Sequence, residues 1–206
     1  MRQTYRDVGL TREKLNPNPL FQFEEWFKEA SEKEQIPNSM ILATVCQSGN
    51  PMLRTVLLKY FDKKGFVFFT NYRSRKADQI EQNPNVAVLF NWVVSERQVS
   101  ISGVAEKVKK SESLKYFLSR PRGSQLGAWV SHQSSVLPSR EFLEMKLEEL
   151  KLKFSNISIP LPDFWGGYRI KPDSFEFWQG RSNRLHDRFL YSNKDGKFWN
   201  IERLAP

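Results

Sequence analysis

The densest group of residues that could do chemistry lies between residues 175 and 188, near the C-terminus. Aromatic residues lead into a glycine turn, and Arg184, His186 and Arg188 then follow at alternate positions. In an extended chain, side chains at alternate positions share one face. Three such groups repel one another unless anionic or π-rich matter lies against them, and the adjacent acid, Asp187, would point the other way. The pattern therefore favours a ligand-binding role over a purely structural one.

Arg54 and Lys59 stand at the two ends of an apolar stretch that is typical of a strand. They are five residues apart, so a pleated strand would point them to opposite faces. Either cation alone is explained by a side chain that passes an apolar face to reach water. The alternative is that each cation meets a different buried anion.

Two further groups could hold a phosphate. Ser74-Arg75-Lys76 stands at the predicted start of a helix, where free N–H groups and the helix dipole attract anions. Cations at that end disfavour the helix itself, and an anion docked there would reverse this penalty. An exposed basic turn explains the two cations equally well. Tyr116 and Arg120 are four residues apart, on one helix face, and Ser124 follows a break at Pro121. Two hydroxyls and a guanidinium could converge there on one phosphate.

Composition narrows the classes of partner and compartment. The 206 residues suit one domain, and the net charge of +9 favours anionic partners such as nucleic acid, acidic membrane or phosphorylated small molecules. Charges of both signs are interspersed, which argues against a nucleic-acid-binding tail. Cys46 is the one cysteine, and the polar N-terminus lacks the apolar core of a signal peptide. We expect a cytoplasmic protein without a membrane span.

Several common catalytic sites are missing from the sequence. It contains no glycine-rich dinucleotide fingerprint after a strand, no phosphate loop and no nucleophile elbow. His132, His186 and Cys46 are the available nitrogen and sulfur ligands, and they are far apart in sequence, so no metal site is expected. An enzyme built from this chain would take its reactivity from an organic cofactor.

The elements that position these residues begin with an N-terminal arm over residues 1–17, followed by a single domain over residues 18–206. A helix is expected to open at Pro19 and to end before Pro37. Its apolar face comprises Leu20, Phe23, Phe27 and Ala30. Three more helices are predicted, at residues 74–82, 111–120 and 139–154.

The rest of the predicted secondary structure is β. The strands are predicted at Met40–Cys46, Met52–Tyr60, Phe66–Thr70, Val86–Val94, Gln98–Val108, Gly167–Ile170, Ser174–Gln179, Arg188–Ser192 and Lys197–Glu202, with a hairpin turn at residues 193–196. The strands follow one another without long intervening helices. This order favours an antiparallel meander that closes toward a barrel, and hence one α+β domain.

Taken together, these segments resemble the pyridoxine/pyridoxamine 5′-phosphate oxidase family. The resemblance keeps the family's order and covers nearly the whole chain. The motifs that carry it are Arg54–Lys59, Phe68–Asn71, Ser74–Lys76, Glu96–Val99, Tyr116–Pro121, Ser124–Ala128, Ser131–Ser135, Phe164–Gly167, Glu176–Gly180, Arg184–Arg188 and Glu202–Pro206. Each motif alone is common, whereas their combination is specific. One departure is Phe69, which stands where many members have a tyrosine.

The resemblance implies an α+β fold, the antiparallel, FMN-binding split β-barrel with flanking helices, working as a homodimer with FMN at the interface. It implies oxidation of pyridoxine 5′-phosphate or pyridoxamine 5′-phosphate by O2 to pyridoxal 5′-phosphate and H2O2. The implied FMN contacts are Arg54, Thr55, Val56, Leu57, Leu58, Lys59, Phe69, Thr70, Arg75, Lys76, Gln98, Gln133, Ser134, Trp178 and Arg188. The implied substrate contacts are Arg2, Tyr5, Lys59, Tyr116, Arg120, Ser124, Arg184 and His186. Arg184 and His186, expected over the pyridine ring, are the catalytic candidates.

Three other interpretations stay open at this stage. A split-barrel flavoprotein could act on another substrate, such as one in a late oxidation of phenazine synthesis. A basic nucleic-acid-binding β-barrel could stack bases on Phe66, Phe68 and Phe69, although strand core explains these residues better. A carrier of FMN or pyridoxal phosphate without turnover is the third. The residues alone do not separate an acid–base role of His186 from an orienting one.

Overall fold

A computed structural model of the chain describes residue 5 and residues 8–130, 133–193 and 198–206. Its α-helices are α1 (Pro19–Lys33), α2 (Arg75–Gln82), α3 (Lys110–Ser119), α4 (Arg122–Val130) and α5 (Arg140–Lys153). Its strands are β1 (Ser39–Val45), β2 (Pro51–Leu57), β3 (Tyr60–Asp62), β4 (Gly65–Asn71), β5 (Asn85–Trp92), β6 (Arg97–Lys107), β7 (Trp165–Gln179), β8 (Asp187–Ser192) and β9 (Asn200–Leu204). Within these ranges, no helix combines the length and the apolar character needed to cross a membrane.

The strands form one curled antiparallel sheet. Its main path runs β2-β1-β5-β6-β7-β4-β3, and β8 and β9 extend it from β7. β7 is 15 residues long, and its first half pairs with β4 while its second half pairs with β8. β6 runs along the other edge of β7 over both halves. One long strand therefore joins the two parts of a split barrel, and the predicted α+β antiparallel barrel is confirmed.

The order of the strands differs from the predicted meander. β5 pairs with β1 rather than with β4, and β4 pairs with β7. The connection between β4 and β5 contains α2, which is 8 residues long. A helical connection of this length does not force the two strands to pair, as a tight hairpin would.

Two strand predictions were wrong at their ends. The strand expected to reach Tyr60 stops at Leu57, because the N–H of Leu58 donates to Asn38 and the N–H of Lys59 donates to Val67. The opposite-face argument for the two cations of this strand therefore does not extend to Lys59. The two strands predicted at 167–170 and 174–179 are one, since a register shift in the pairing of β6 and β7 at Pro172 absorbs the irregularity.

Two helix predictions also need correction. α3, predicted over residues 111–120, begins one residue earlier at Lys110 and has Lys109 as its N-cap. α4 was not predicted, because it follows Pro121 and contains two glycines, which are weak helix formers. Its Leu126 is buried against the neighbouring helices, and this packing outweighs the local propensity.

The main core lies between the sheet and α1. Asn18 caps this helix by accepting the N–H of Leu20 at 3.0 Å. Phe23 is fully buried and meets Phe61 and Phe66 edge to face, with ring centroids 5.0 and 4.9 Å apart. Burying a ring of this size stabilises the fold by about 1.5–3 kcal/mol. Trp26, which is also buried, was missing from the predicted face.

A second, smaller cluster lies under α3, α4 and α5. It consists of Phe117, Leu126, Ala128, Phe154, Ile159 and Trp165. Leu147 and Leu150 of α5 pack against it. This helix is therefore held to the fold by its apolar residues.

The described part of the N-terminal arm is attached to the core. Leu10 and Leu15 are buried there, and the N–H of Leu10 donates to Asp187 Oδ2 at 3.0 Å. The division into an arm over residues 1–17 and a domain over residues 18–206 stays a prediction. Arg2, Ser131, His132 and the turn residues 194–196 lie outside the described residues.

Candidate functional site

The first group of candidate residues is a cluster of three cations, Arg54, Arg75 and Lys76. They line a cavity of about 570 Å³ together with Gln133 and Ser134. Arg54 belongs to β2, whereas Arg75 and Lys76 open α2. The fold thus brings together basic residues that are about twenty positions apart in sequence.

Neutral side chains hold Lys76 in place. Its Nζ donates to Thr70 Oγ1, Ser74 Oγ and Gln133 Oε1, at 3.2, 3.3 and 3.0 Å. Ser74 is the N-cap residue of α2, but its side chain does not cap the helix and instead accepts the hydrogen bond from Lys76. Lys76 is buried, with 9% of its surface exposed.

No salt bridge among the described residues balances the charges of this cluster. Burial lowers the pKa of Lys76 to about 8, and the nearby charge of Arg54 acts in the same direction. Burial also lowers the pKa of Arg54, with the charge of Arg75 as the second cause. In the described part of the chain, the hydrogen-bond partners of Arg54 and Lys76 are all neutral. A bound dianion would relieve this repulsion.

The second group surrounds an adjoining cavity of about 510 Å³. Lys59, Tyr116, Arg120 and Ser124 line it, together with Phe69 and Thr70. Tyr116 lies in α3, Arg120 follows that helix as its C-cap, and Ser124 lies in the first turn of α4. Gln133 lines both cavities, so the two groups are neighbours.

A stack of aromatic rings forms one wall of the second cavity. The ring of Phe69 packs nearly parallel to those of Tyr116 and Trp165, with ring centroids at 4.1 and 5.3 Å, and the latter two rings lie parallel at 6.2 Å. The guanidinium carbon of Arg120 lies 4.7 Å from the centroid of Trp165. Phe69 acts here as a ring in a stack, which needs no hydroxyl.

Arg120 carries a donor that the described residues leave unpaired. Its Nη1 is buried and makes no hydrogen bond within that part of the chain. Burial lowers the pKa of this guanidinium. A buried donor left unpaired costs about 1–3 kcal/mol, so the position is suited to an acceptor that arrives with a ligand. Together with the unbalanced cations of the first cavity, this is the arrangement expected of a site for two phosphate groups.

The third group lies on the sheet at β6, β7 and β8. Gln98, Trp178 and Arg188 are in register across the three strands, so their side chains share one face. The His186 ring lies 4.6 Å from the ring of Trp178, and Tyr5 meets both rings edge to face at 5.8 and 5.3 Å. This face is therefore aromatic as well as basic.

His186 has a defined hydrogen-bond pattern. Its Nδ1 accepts the backbone N–H of Arg181 at 3.1 Å. A ring nitrogen that accepts a hydrogen bond carries no proton, so the neutral imidazole bears its proton on Nε2. The structure thus leaves Nε2–H as the donor that this ring can offer to a ligand.

The predicted shared face of Arg184, His186 and Arg188 was wrong. Residues 182–184 form a short 3-10 turn, and the φ angle of Arg184 is +63°, so the chain is not extended there. From the sequence, no acid was expected to pair with these cations, but Glu176 pairs with one of them. Arg188 Nε donates to Glu176 Oε1 at 2.8 Å across the strand pair. This ion pair raises the pKa of Arg188.

The structure does not bring all the implied contacts to one place within a single chain. Gln98, Trp178, Arg184, His186 and Arg188 line neither of the two cavities. The same holds for three residues of the Arg54–Lys59 segment, which are Val56, Leu57 and Leu58. Leu58 is buried in the main core, and Leu57 is exposed. The implied contacts therefore form two sets, one around the cavities and one on the sheet face.

Three residues at the site were missed from the sequence. Gln79 and Thr44 hold Arg54, and Trp165 stacks under Arg120. Gln79 follows Lys76 by three positions, which places both on one face of α2, and this spacing was an available signal. Thr44 and Trp165 gave no local signal, because they reach the site through strand pairing.

Comparison with known proteins places the chain in a family. Residues 27–154 match the family model described as pyridoxamine 5′-phosphate oxidase. Residues 165–206 match the one described as pyridoxine 5′-phosphate oxidase C-terminal dimerisation region.

Curated relatives match over the full length. A protein of Crocosphaera subtropica named pyridoxine/pyridoxamine 5′-phosphate oxidase is 64% identical over 209 residues, which cover 100% of this chain and 98% of the relative. A protein of the same name from Rippkaea orientalis is 60% identical over 207 residues, with the same coverage of both chains.

Solved structures share the fold. PhzG from Burkholderia lata 383, in complex with tetrahydrophenazine-1-carboxylic acid, has a TM-score of 0.90 at 28% identity, covering 99% of this chain and 100% of PhzG. A pyridoxamine 5′-phosphate oxidase-related, FMN binding protein from Nostoc punctiforme has a TM-score of 0.72 at 18% identity, covering 94% and 99%. From its family-model matches and its full-length relatives, the chain belongs to the pyridoxamine 5′-phosphate oxidase family.

Proposed function

We propose that the chain is an FMN-dependent oxidase that converts pyridoxine 5′-phosphate or pyridoxamine 5′-phosphate to pyridoxal 5′-phosphate, with O2 consumed and H2O2 released. The observation that carries this proposal is the pair of adjoining, cation-lined cavities that share Gln133. The cofactor and the substrate each carry one phosphate, and each cavity offers one group of donors. Full-length relatives at 60% and 64% identity bear the name of this oxidase.

The first cavity fits the phosphate of FMN. Arg54, Arg75 and Lys76 offer three cations that form no salt bridge within the described residues, and Ser134 Oγ, which accepts the N–H of Arg75 at 3.3 Å, stands beside them. Thr55 and Gln133 add polar atoms at its edge. FMN, when bound, supplies the two-electron chemistry of the reaction.

The second cavity fits the phosphate of the vitamin. Lys59 brings a positive charge, and Tyr116 and Ser124 bring hydroxyls. Arg120 brings a buried donor for which the described residues supply no acceptor. The stack of Phe69 on Tyr116 fixes the tyrosine ring, so its hydroxyl is positioned before the ligand arrives. These residues bind and orient the substrate.

The sheet-face set completes the site from a second copy of the chain. In a symmetric dimer, each copy would present Gln98, Trp178 and Arg188 to the cavities of the other. The residues that match the dimerisation region, 165–206, include most of this set. Arg184, with its backbone held at a positive φ, and His186, with Nε2–H as its donor, would then act on the substrate ring. Because His186 Nδ1 already accepts a hydrogen bond, an orienting donor role is favoured over that of a base.

Two measurements on the purified protein test this function. We expect a yellow protein whose bound flavin, released by heating, is FMN. We also expect H2O2 and pyridoxal 5′-phosphate in equal amounts when pyridoxine 5′-phosphate is added in air. The proposal would be contradicted by a colourless protein for which added FMN neither loses fluorescence nor raises the unfolding temperature. The cytoplasmic location stays a prediction.

A related oxidase of another substrate is the second candidate. The likeness to PhzG, a protein solved with a tetrahydrophenazine acid, is the observation that favours it. The higher identity of the relatives named as vitamin B6 phosphate oxidases favours the first candidate. Enzyme-dependent peroxide formation from tetrahydrophenazine-1-carboxylic acid, with none from pyridoxine 5′-phosphate, would decide for the second. The nucleic-acid interpretation is disfavoured, since Phe66 and Phe68 are fully buried and offer no face for bases.

A further inference from the structure

Arg54 is held from behind by buried neutral oxygens. Gln79, which is 4% exposed, accepts a hydrogen bond on Oε1 from Arg54 Nη2 at 3.1 Å. Thr44, which is fully buried, accepts from Nη1 on its hydroxyl, and the carbonyl of Leu42 accepts from Nη1 at 3.2 Å. A guanidinium has five N–H donors, so in the described part of the chain two of them, one on Nη2 and the one on Nε, remain for the cavity.

The orientation of the Gln79 amide follows from its partners. Oε1 also accepts the hydroxyl hydrogen of Thr44 at 2.6 Å, and Nε2 lies 3.0 Å from Met52 Sδ. Rotating the amide by half a turn would place its NH2 group against two donors, Arg54 and Thr44. The network is therefore directional and sets one position for the guanidinium.

The anchor is an amide where a carboxylate would accept the same hydrogen bonds from Arg54 and Thr44. A glutamate at position 79 has nearly the same shape, and it would pair with Arg54 as an ion pair. It would also cancel one of the three positive charges that line the cavity with Arg75 and Lys76. An uncharged anchor fixes the geometry of Arg54 and leaves its full charge for a ligand.

We propose that Gln79 is a positioning residue that holds Arg54 toward the cavity and, because it is uncharged, keeps the charge of the cation cluster for the phosphate of an organic cofactor. The inference rests on the proposed function, in which this cavity takes the phosphate of FMN. Gln79 itself lies behind Arg54 and does not line the cavity.

The test compares FMN affinities of apoprotein variants by titration of flavin fluorescence, with the unfolding temperature of each apoprotein as the second readout. Gln79→Glu should raise the Kd for FMN by about ten- to a hundredfold, the range of one hydrogen bond to a charged group. Its apoprotein should unfold at the wild-type temperature or above, because the carboxylate satisfies Arg54. Gln79→Met, which removes the anchor without adding a charge, should raise the Kd by a smaller factor.

The matched control is Gln22→Glu. Gln22 is 2% exposed, lies on α1 and accepts the N–H of Asn16 through Oε1 at 2.8 Å, away from both cavities. This variant places the same new charge in the core and should leave the Kd for FMN unchanged.

Wild-type affinity in both Gln79 variants would overturn the inference while the proposed function stands. If Gln79→Glu does not fold, an unchanged Kd for FMN in Gln79→Met is sufficient to overturn the inference. A wild-type protein that fails to bind FMN overturns the proposed function and this inference together.

Discussion

At Lys76, three neutral oxygens surround an ammonium group in a side chain that is 9% exposed. Burial lowers its pKa from 10.5 to about 8. Between these two values the unfolded chain binds a proton at Lys76 that the folded apoprotein has lost, so the stability of the apoprotein rises with pH in this window. Below pH 8 both forms are protonated, and the full cost of the buried charge is present. A bound anion removes this cost, and the protonation of Lys76 is thereby coupled to binding.

The affinity for FMN should therefore depend on pH at this residue. Above pH 7 the phosphate, with a second pKa of about 6, is almost fully ionised, so changes in that range report on the protein. We expect the Kd to be nearly constant from pH 7 to 7.5 and to rise as the pH passes 8, because the free lysine then loses its proton. Fluorescence titrations from pH 7 to 9.5 measure this.

Lys76→Met is the control for that profile. It keeps the length of the side chain and removes the titrating group, so its Kd should be higher than that of the wild type and flat across the same range. Its apoprotein should be more stable than the wild type at pH 7, since the buried charge is gone. An identical rise above pH 8 in both proteins would assign the pH dependence to another group.

At the scale of elements, α1 closes the main core from one side of the sheet. Its start follows from Asn18 and Pro19, a capping side chain and a proline at the first helical position. Its place follows from Phe23 and Trp26, which fill the space above the strands. Neither cavity includes a residue of this helix, so α1 supports the site only through the sheet.

Phe23→Ala should lower the free energy of unfolding by about 3–5 kcal/mol, because it empties a fully enclosed ring site. Phe21→Ala is the matched control on the same helix, since that ring is 55% exposed, and it should cost no more than about 0.5 kcal/mol. Urea unfolding of the two apoproteins, followed by circular dichroism, measures both values. Equal losses would mean that the helix is not seated on the core through Phe23.

At the scale of the whole molecule, the implied contacts fall into two sets. Arg54, Lys76 and Arg120 line the cavities, whereas Trp178 and His186 lie on the sheet face and line neither. In a symmetric dimer with the site shared between copies, each site takes its cavity from one copy and its sheet face from the other.

Mixed dimers of two inactive variants test this division. Arg54→Ala impairs the cavity, and Arg184→Ala impairs the sheet face. After the variants are unfolded together and refolded with FMN, half of the dimers should be mixed, and each mixed dimer has one intact site out of two. We therefore expect about a quarter of the wild-type activity to return, as two-fold symmetry requires. If each chain built its own complete site, the mixture would remain as inactive as its components.

Much of the secondary structure and the chemical character of the site could be predicted from the sequence. α1 and most strands lie within a few residues of their predicted bounds, because caps, prolines and alternating burial are local properties. The cations Arg54, Lys76 and Arg120 were identified by residue type and spacing. These predictions needed no knowledge of distant contacts.

The sequence by itself determined the antiparallel β-rich class, the α1 helix and the supply of donors for two phosphates. The tertiary structure alone decided that β5 pairs with β1, that Glu176 neutralises Arg188, and that Gln79 and Thr44 hold Arg54. The physical reason is that turns and caps are set by neighbours in the chain, whereas pairing partners compete across its whole length. Which strand wins depends on how the complete core packs.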